Sequence, residues 1–149
     1  KLLNKPSKYS DLFIERKRPS EMEGLHKENP ERKQIEVTLK ENFHKLNWHY
    51  SDEENFNDLK IRTLKAIDYL IDQPESQIAV ITHGVFLRMS ISLMMFGKNL
   101  DSQTYTSIGL FVKTRNTGIT ICEYNKKINS WNMITWMDHA HLGMMPSVF

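Results

Sequence analysis

The residues of this 149-residue chain best placed to do chemistry lie in one stretch, Ile78-Ala79-Val80-Ile81-Thr82-His83-Gly84-Val85-Phe86-Leu87-Arg88. An apolar, β-branched run ends in an imidazole, a glycine follows, and an apolar helical segment begins. At the C-terminal edge of an open α/β sheet, a side chain in that place faces the usual ligand crevice. The free N–H groups and dipole of the next helix favour an anion there, and Gly84 lets the backbone come close to it. An imidazolium at His83 adds hydrogen bonds to phosphoryl oxygens and stabilises charge that develops in transfer. Spacing alone therefore predicts an anion site. A His83 that is purely structural fits the same spacing.

Other chemistry-bearing groups are weaker. Glu15 sits in a charged segment closed by Pro19, where a solvated carboxylate and an acid catalyst read alike. Arg16, Lys17 and Arg18 read as a solvated basic run, with contact to an anionic substrate as the alternative. Asp138, His139 and His141 are three potential ligands within four residues, but they lack the fixed spacing of zinc motifs and have no cysteine nearby. No metal and no organic cofactor is expected. Met89, Met94, Met95 and Phe96 read as core, and Trp48, Trp131 and Trp136 as core or interface.

The elements that position these groups follow from periodicity and punctuation. Residues 1–30, broken by Pro6, Pro19, Gly24 and Pro30, read as loop. Pro30 and Glu31 open a helix whose apolar residues Ile35, Leu39, Phe43 and Leu46 predict about four turns. After the polar break Ser51–Asn55, Phe56, Leu59, Leu64, Ile67, Leu70 and Ile71 form the stripe of a second helix, ended by Pro74. Gln77–Thr82 reads as a strand covered on both faces of a parallel sheet. Val85–Phe96 reads as an apolar helix stopped by Gly97. Ile108–Lys113, Gly118–Tyr124 and Trp131–Trp136 read as three strands of a small meander. The order points to a mixed sheet with helices on both faces.

Bulk properties set the class. With 40% hydrophobic and 26% charged residues, the chain has the balance of one soluble globular domain. A formal net charge of +2 is too small to make nucleic acid or a membrane surface the main partner. No run approaches the roughly 20 apolar residues that span a bilayer. The single cysteine, Cys122, allows no intramolecular disulfide, so the cytoplasm is the expected compartment. The start, Lys1-Leu2-Leu3-Asn4-Lys5, has no initiator Met and reads as a fragment, a processed product or an incomplete frame.

Val80-Ile81-Thr82-His83-Gly84-Val85-Phe86-Leu87-Arg88 resembles the second-histidine motif of the histidine phosphatase superfamily, which includes the phosphoglycerate-mutase-like enzymes. Asp11–Ser20 resembles the segment bearing the acidic proton donor, a Glu followed by a basic residue. Glu53-Glu54-Asn55-Phe56 with Arg62 resembles the start of the helix before the second-histidine strand. Asn116-Thr117-Gly118-Ile119-Thr120 resembles the opening of the late strand, and Trp136–Leu142 the Asn-Asp-x-x-His-Leu ending. The motifs run in family order over essentially the whole chain.

The resemblance implies a three-layer α/β sandwich with a mixed, mostly parallel sheet. It implies transfer through a phosphohistidine, with no metal or cofactor and a small phosphorylated substrate. Carried over, His83 is the second pocket histidine, Glu15 the general acid, and the backbone around Gly84 and Val85 part of the phosphate cradle. The sequence departs from the pattern in holding no Arg-His-Gly, so the nucleophile and the first strand are missing from it. His26, His44 and His49 are poor substitutes, since none follows an apolar strand-like run. Residues 1–149 are thus expected to form one N-terminally incomplete domain, inactive by itself and marginally stable. The competing expectations are a non-catalytic phosphate-binding or scaffold module of the same fold, and a generic α/β domain with a structural His83. Oligomeric state is left open.

Overall fold

A computed structural model describes residues 7–143. Four α-helices and an antiparallel hairpin alternate with short 3-10 turns: α1 Pro30–Asn42, α2 Phe56–Ile71, α3 Gly84–Phe96, α4 Ser102–Phe111, β1 Ile119–Asn125 and β2 Ser130–Asp138. No helix among the described residues is long and apolar enough to cross a membrane.

Local chemistry accounts for most boundaries. The Asn29 side chain accepts from the N–H groups of Glu31 and Arg32 at the start of α1, with Pro30 in the first turn, where its missing N–H costs nothing. Asn55 and Asp58 form a reciprocal cap on α2. Asn55 also donates to the carbonyls of Leu46 and Trp48 at 3.1 and 3.2 Å. That bond offers the chain after Asn42 an alternative to helical pairing, so α1 is shorter than its apolar spacing predicts and Leu46 lies beyond it, exposed. α3 ends at Gly97, whose φ of +58° suits glycine.

α2 and α3 pack on each other through Phe56, Leu59, Ala66, Ile67, Phe86, Met89 and Leu93, joined by Leu100 and by Tyr105 from α4. Leu59 and Met89 are fully buried. The end of α3 departs from expectation: Met89 is core and Met94 packs against it, but Met95 and Phe96 are exposed. Trp131 packs on the core from β2, while Trp48 and Trp136 are half-buried.

The expected strand Ile108–Lys113 is a correction. Asp101 caps Thr104 and starts α4, which runs through Phe111. The helix places Tyr105 in the core and Ile108 against it, one turn apart on one face, while Leu110 and Phe111 stay exposed. Burial of that face outweighs the β-branched pattern. The other two expected strands pair as the hairpin, in the register Cys122↔Met133 and Tyr124↔Trp131. Asn129 turns the hairpin at φ +49°, a conformation Asn tolerates.

The sheet among the described residues is therefore two-stranded and antiparallel, in a mixed helix and strand fold. Gln77–His83 carries no assigned strand. Strand character needs a hydrogen-bonded neighbour, and none of the described residues supplies one. Ile81 is 97% exposed and Ile78 and Val80 are partly open, contrary to a strand covered on both faces.

Candidate active site

Between the segment Ile78–His83 and the hairpin lies a cleft of about 1580 Å³, with Phe13, Glu15, Gly84, Thr114, Cys122 and Trp131 also on its walls. His83 is the residue immediately before α3, with extended backbone at φ −119°. Its side chain is exposed and opens on the cleft.

Glu15 arrives at the same place from the other end of the chain. Its carboxylate accepts from the N–H of Val85 at 3.2 Å and of Phe86 at 3.1 Å, and from the N–H of Arg16 at 2.8 Å. The first N–H groups of a helix have no partner within it, so the Glu15 carboxylate fills an acceptor role that α3 leaves open. Two positions read separately from the sequence, Glu15 and Val85, are thus in direct contact. The Val85 N–H, expected to face a phosphate, is donated to Glu15 in this structure.

The glycine at 84 answers first to a neighbour that the sequence did not suggest. A Cβ on Gly84 would lie 2.6 Å from the Thr114 hydroxyl oxygen and 3.3 Å from its Cβ. Thr114 stands thirty residues away, after α4, and no local pattern marks it.

The Glu15 segment is fastened along its length. The Thr82 hydroxyl donates to the Phe13 carbonyl at 2.6 Å. Phe13 meets Phe86 and Tyr69 edge to face, at centroid distances of 5.9 and 6.1 Å. The neighbouring basic residues are tied down away from the cleft. Arg16 lies over the Phe43 ring and donates to the Glu54 carbonyl, and burial pulls its guanidinium below its ordinary pKa. Lys17 pairs with Asp52 at 2.8 Å and Arg18 with Glu36 at 3.3 Å.

At the far rim, His139 Nδ1 faces the Met137 carbonyl at 2.7 Å, which requires it to donate, so Nε2 accepts from Arg115 at 2.9 Å. Both ring nitrogens are engaged, and Asp138 accepts from the Ala140 N–H. Cys122 is half-buried, and burial raises its thiol pKa. Among the described residues no three His, Cys, Asp or Glu side chains are grouped to hold a metal ion.

The sequence matches the family profile described as histidine phosphatase superfamily (branch 1) over residues 2–138. No curated protein and no solved structure matches it.

Proposed function

The chain belongs to the histidine phosphatase superfamily, and from that premise we propose that it forms part of a phosphomonoester hydrolase working through a phosphohistidine. Family membership supports a phosphatase- or mutase-like function. The observation that carries the residue assignment is the Glu15 carboxylate on the first amides of α3, the helix that His83 immediately precedes, with both residues lining one cleft.

In this reading the ester's phosphoryl group sits beside the α3 N-terminus, against His83 and the Gly84 backbone, next to the Glu15 carboxyl on the Val85 and Phe86 N–H groups. A histidine nitrogen outside these 149 residues attacks phosphorus, and the phosphorus–oxygen ester bond breaks. Glu15, protonated, passes its proton to the leaving oxygen. The Glu15 carboxylate then takes a proton from water, whose oxygen displaces the phosphoryl group from histidine and yields orthophosphate. His83 contributes hydrogen bonds and positive charge to the transferring group. The substrate is a small phosphorylated metabolite.

The finer fold belongs to the same proposal: a single domain, a three-layer sandwich with a mixed, mostly parallel sheet. In it Gln77–Thr82 pairs with a strand carrying Arg-His-Gly. The open backbone of that segment, its exposed Ile81 and the size of the cleft support this. Pockets for small ligands run to about 300–1,000 Å³, so the cleft has room for a strand besides a substrate. Residues 1–149 by themselves are then inactive, having no nucleophile.

The test is to read the coding sequence upstream of Lys1 and assay the extended protein on an aryl phosphate in a metal chelator. Turnover that disappears in His83→Ala is expected. Orthovanadate binding without turnover and without an Arg-His-Gly would instead make it a non-catalytic phosphate-binding module. The absence of both binding and turnover would refute the site.

A further inference from the structure

We propose that Arg62, anchored by Glu54, is the positioning residue that seats the Glu15 carboxylate on the N-terminus of α3. The inference rests on the reading of Glu15 as the acid and extends the machinery to two residues on the neighbouring helix α2 and its approach.

Arg62 makes contacts of two kinds. Its Nε and Nη2 donate to the two carboxylate oxygens of Glu54 at 2.6 and 2.7 Å. Its Nη1 donates to the carbonyls of Leu12 at 2.9 Å and Ile14 at 3.0 Å, and Nη2 to that of Glu15 at 3.4 Å. The guanidinium also lies over the Phe86 ring, 5.1 Å from its centroid. Phe86 is one of the two residues whose N–H groups hold the Glu15 carboxylate. One planar group thus touches the backbone that carries the acid and the helix turn that receives it.

Glu54 is itself fixed. Its carboxylate accepts from the Lys17 N–H at 3.0 Å, and its own N–H donates to the Lys17 carbonyl at 3.1 Å. The Arg62 and Glu54 side chains are 15% and 17% exposed, so the pair is shielded and its geometry well defined. Convergence of three successive-segment carbonyls on one guanidinium uses the rigid fork of donors that lysine lacks.

Val85 and Phe86 give a direct readout, because their N–H groups have Glu15 as acceptor rather than a carbonyl of the same helix. Amide hydrogen exchange is measured by NMR on the 149-residue chain. Glu15→Ala is expected to speed exchange at Val85 and Phe86. Arg62→Lys is expected to speed the same two amides about tenfold, the scale of a lost charge-assisted bond, while Leu59, Thr63 and Ala66 of α2 keep their protection. Glu54→Gln, which keeps the shape of the anchor, is expected to give a smaller rise at the same two amides. Unchanged Val85 and Phe86 in Arg62→Lys and Glu54→Gln overturns the proposal, as does equal opening of α2 or no change in Glu15→Ala. Failure of the phosphatase reading would show differently, as absent turnover and absent vanadate binding with this exchange pattern intact.

Discussion

Replacing Gly84 by alanine tests why glycine follows His83. The added Cβ would come within 2.6 Å of the Thr114 hydroxyl oxygen, 3.3 Å of its Cβ and 3.7 Å of its Cγ2. The first distance is far inside van der Waals contact, so Thr114 or the start of α3 must shift. Overpacking of this kind costs about 1–3 kcal/mol. Gly84 is the first residue of α3, outside the helix interior where alanine's advantage of ~1 kcal/mol over glycine applies, so the net loss is about 1–3 kcal/mol. Thr114→Ala removes the oxygen and Cγ2 and leaves only the 3.3 Å neighbour, a distance that a shift of a few tenths of an ångström relieves. In that background Gly84→Ala should be about neutral. Urea denaturation of the four proteins of the cycle, with m unchanged, should give a coupling of about 1–3 kcal/mol, above the ~0.5 kcal/mol scatter of independent sites. An equal loss from Gly84→Ala in both backgrounds would refute the argument and tie the glycine to the backbone itself.

Asn55→Ala should destabilise by about 2 kcal/mol in urea, since it removes the α2 cap and the amide that serves the Leu46 and Trp48 carbonyls; a loss under ~0.5 kcal/mol would contradict it. Burial works against ionisation of Glu54, but the Arg62 and Lys17 N–H bonds and the Arg62 charge together hold its carboxyl below its ordinary range. The bond from Lys17 lowers Asp52, and the Thr104 N–H lowers Asp101. Folding therefore binds fewer protons than unfolding in this range. The stability these groups supply is complete above ordinary carboxylate pKa values, and is lost as pH falls below about 4. Urea midpoints should drop between about pH 4.5 and 3, less steeply in Glu54→Gln, and parallel profiles would contradict the assignment. Ile81→Lys should change the stability of residues 1–149 by less than about 0.5 kcal/mol, because Ile81 is 97% exposed. In a protein carrying the adjacent strand it should cost several times more, and equal effects would count against that strand.

The sequence by itself determined the features that arise within a few residues of one another. The Pro30–Glu31 start of α1, the polar break before α2, the helix after His83-Gly84 and its stop at Gly97 all depend on near neighbours, and each was legible as a pattern. The family was legible too, because its motifs are short and ordered. What tertiary structure decided concerns competition between distant groups. Ile108–Lys113 is a short apolar run that reads as a strand, yet burial of Tyr105 and packing of Ile108 made most of it helix. Leu46 keeps helical spacing, yet an amide from Asn55 ended α1 before it. The resemblance singled out Glu15, but nothing near it in sequence marked its acceptor role on amides 70 and 71 residues away, and Thr114 against Gly84 left no local mark at all. Gln77–Thr82 shows the limit most plainly. Composition can make a segment apolar and extended, but a strand is a relation between two backbones, so only a partner in space can complete it.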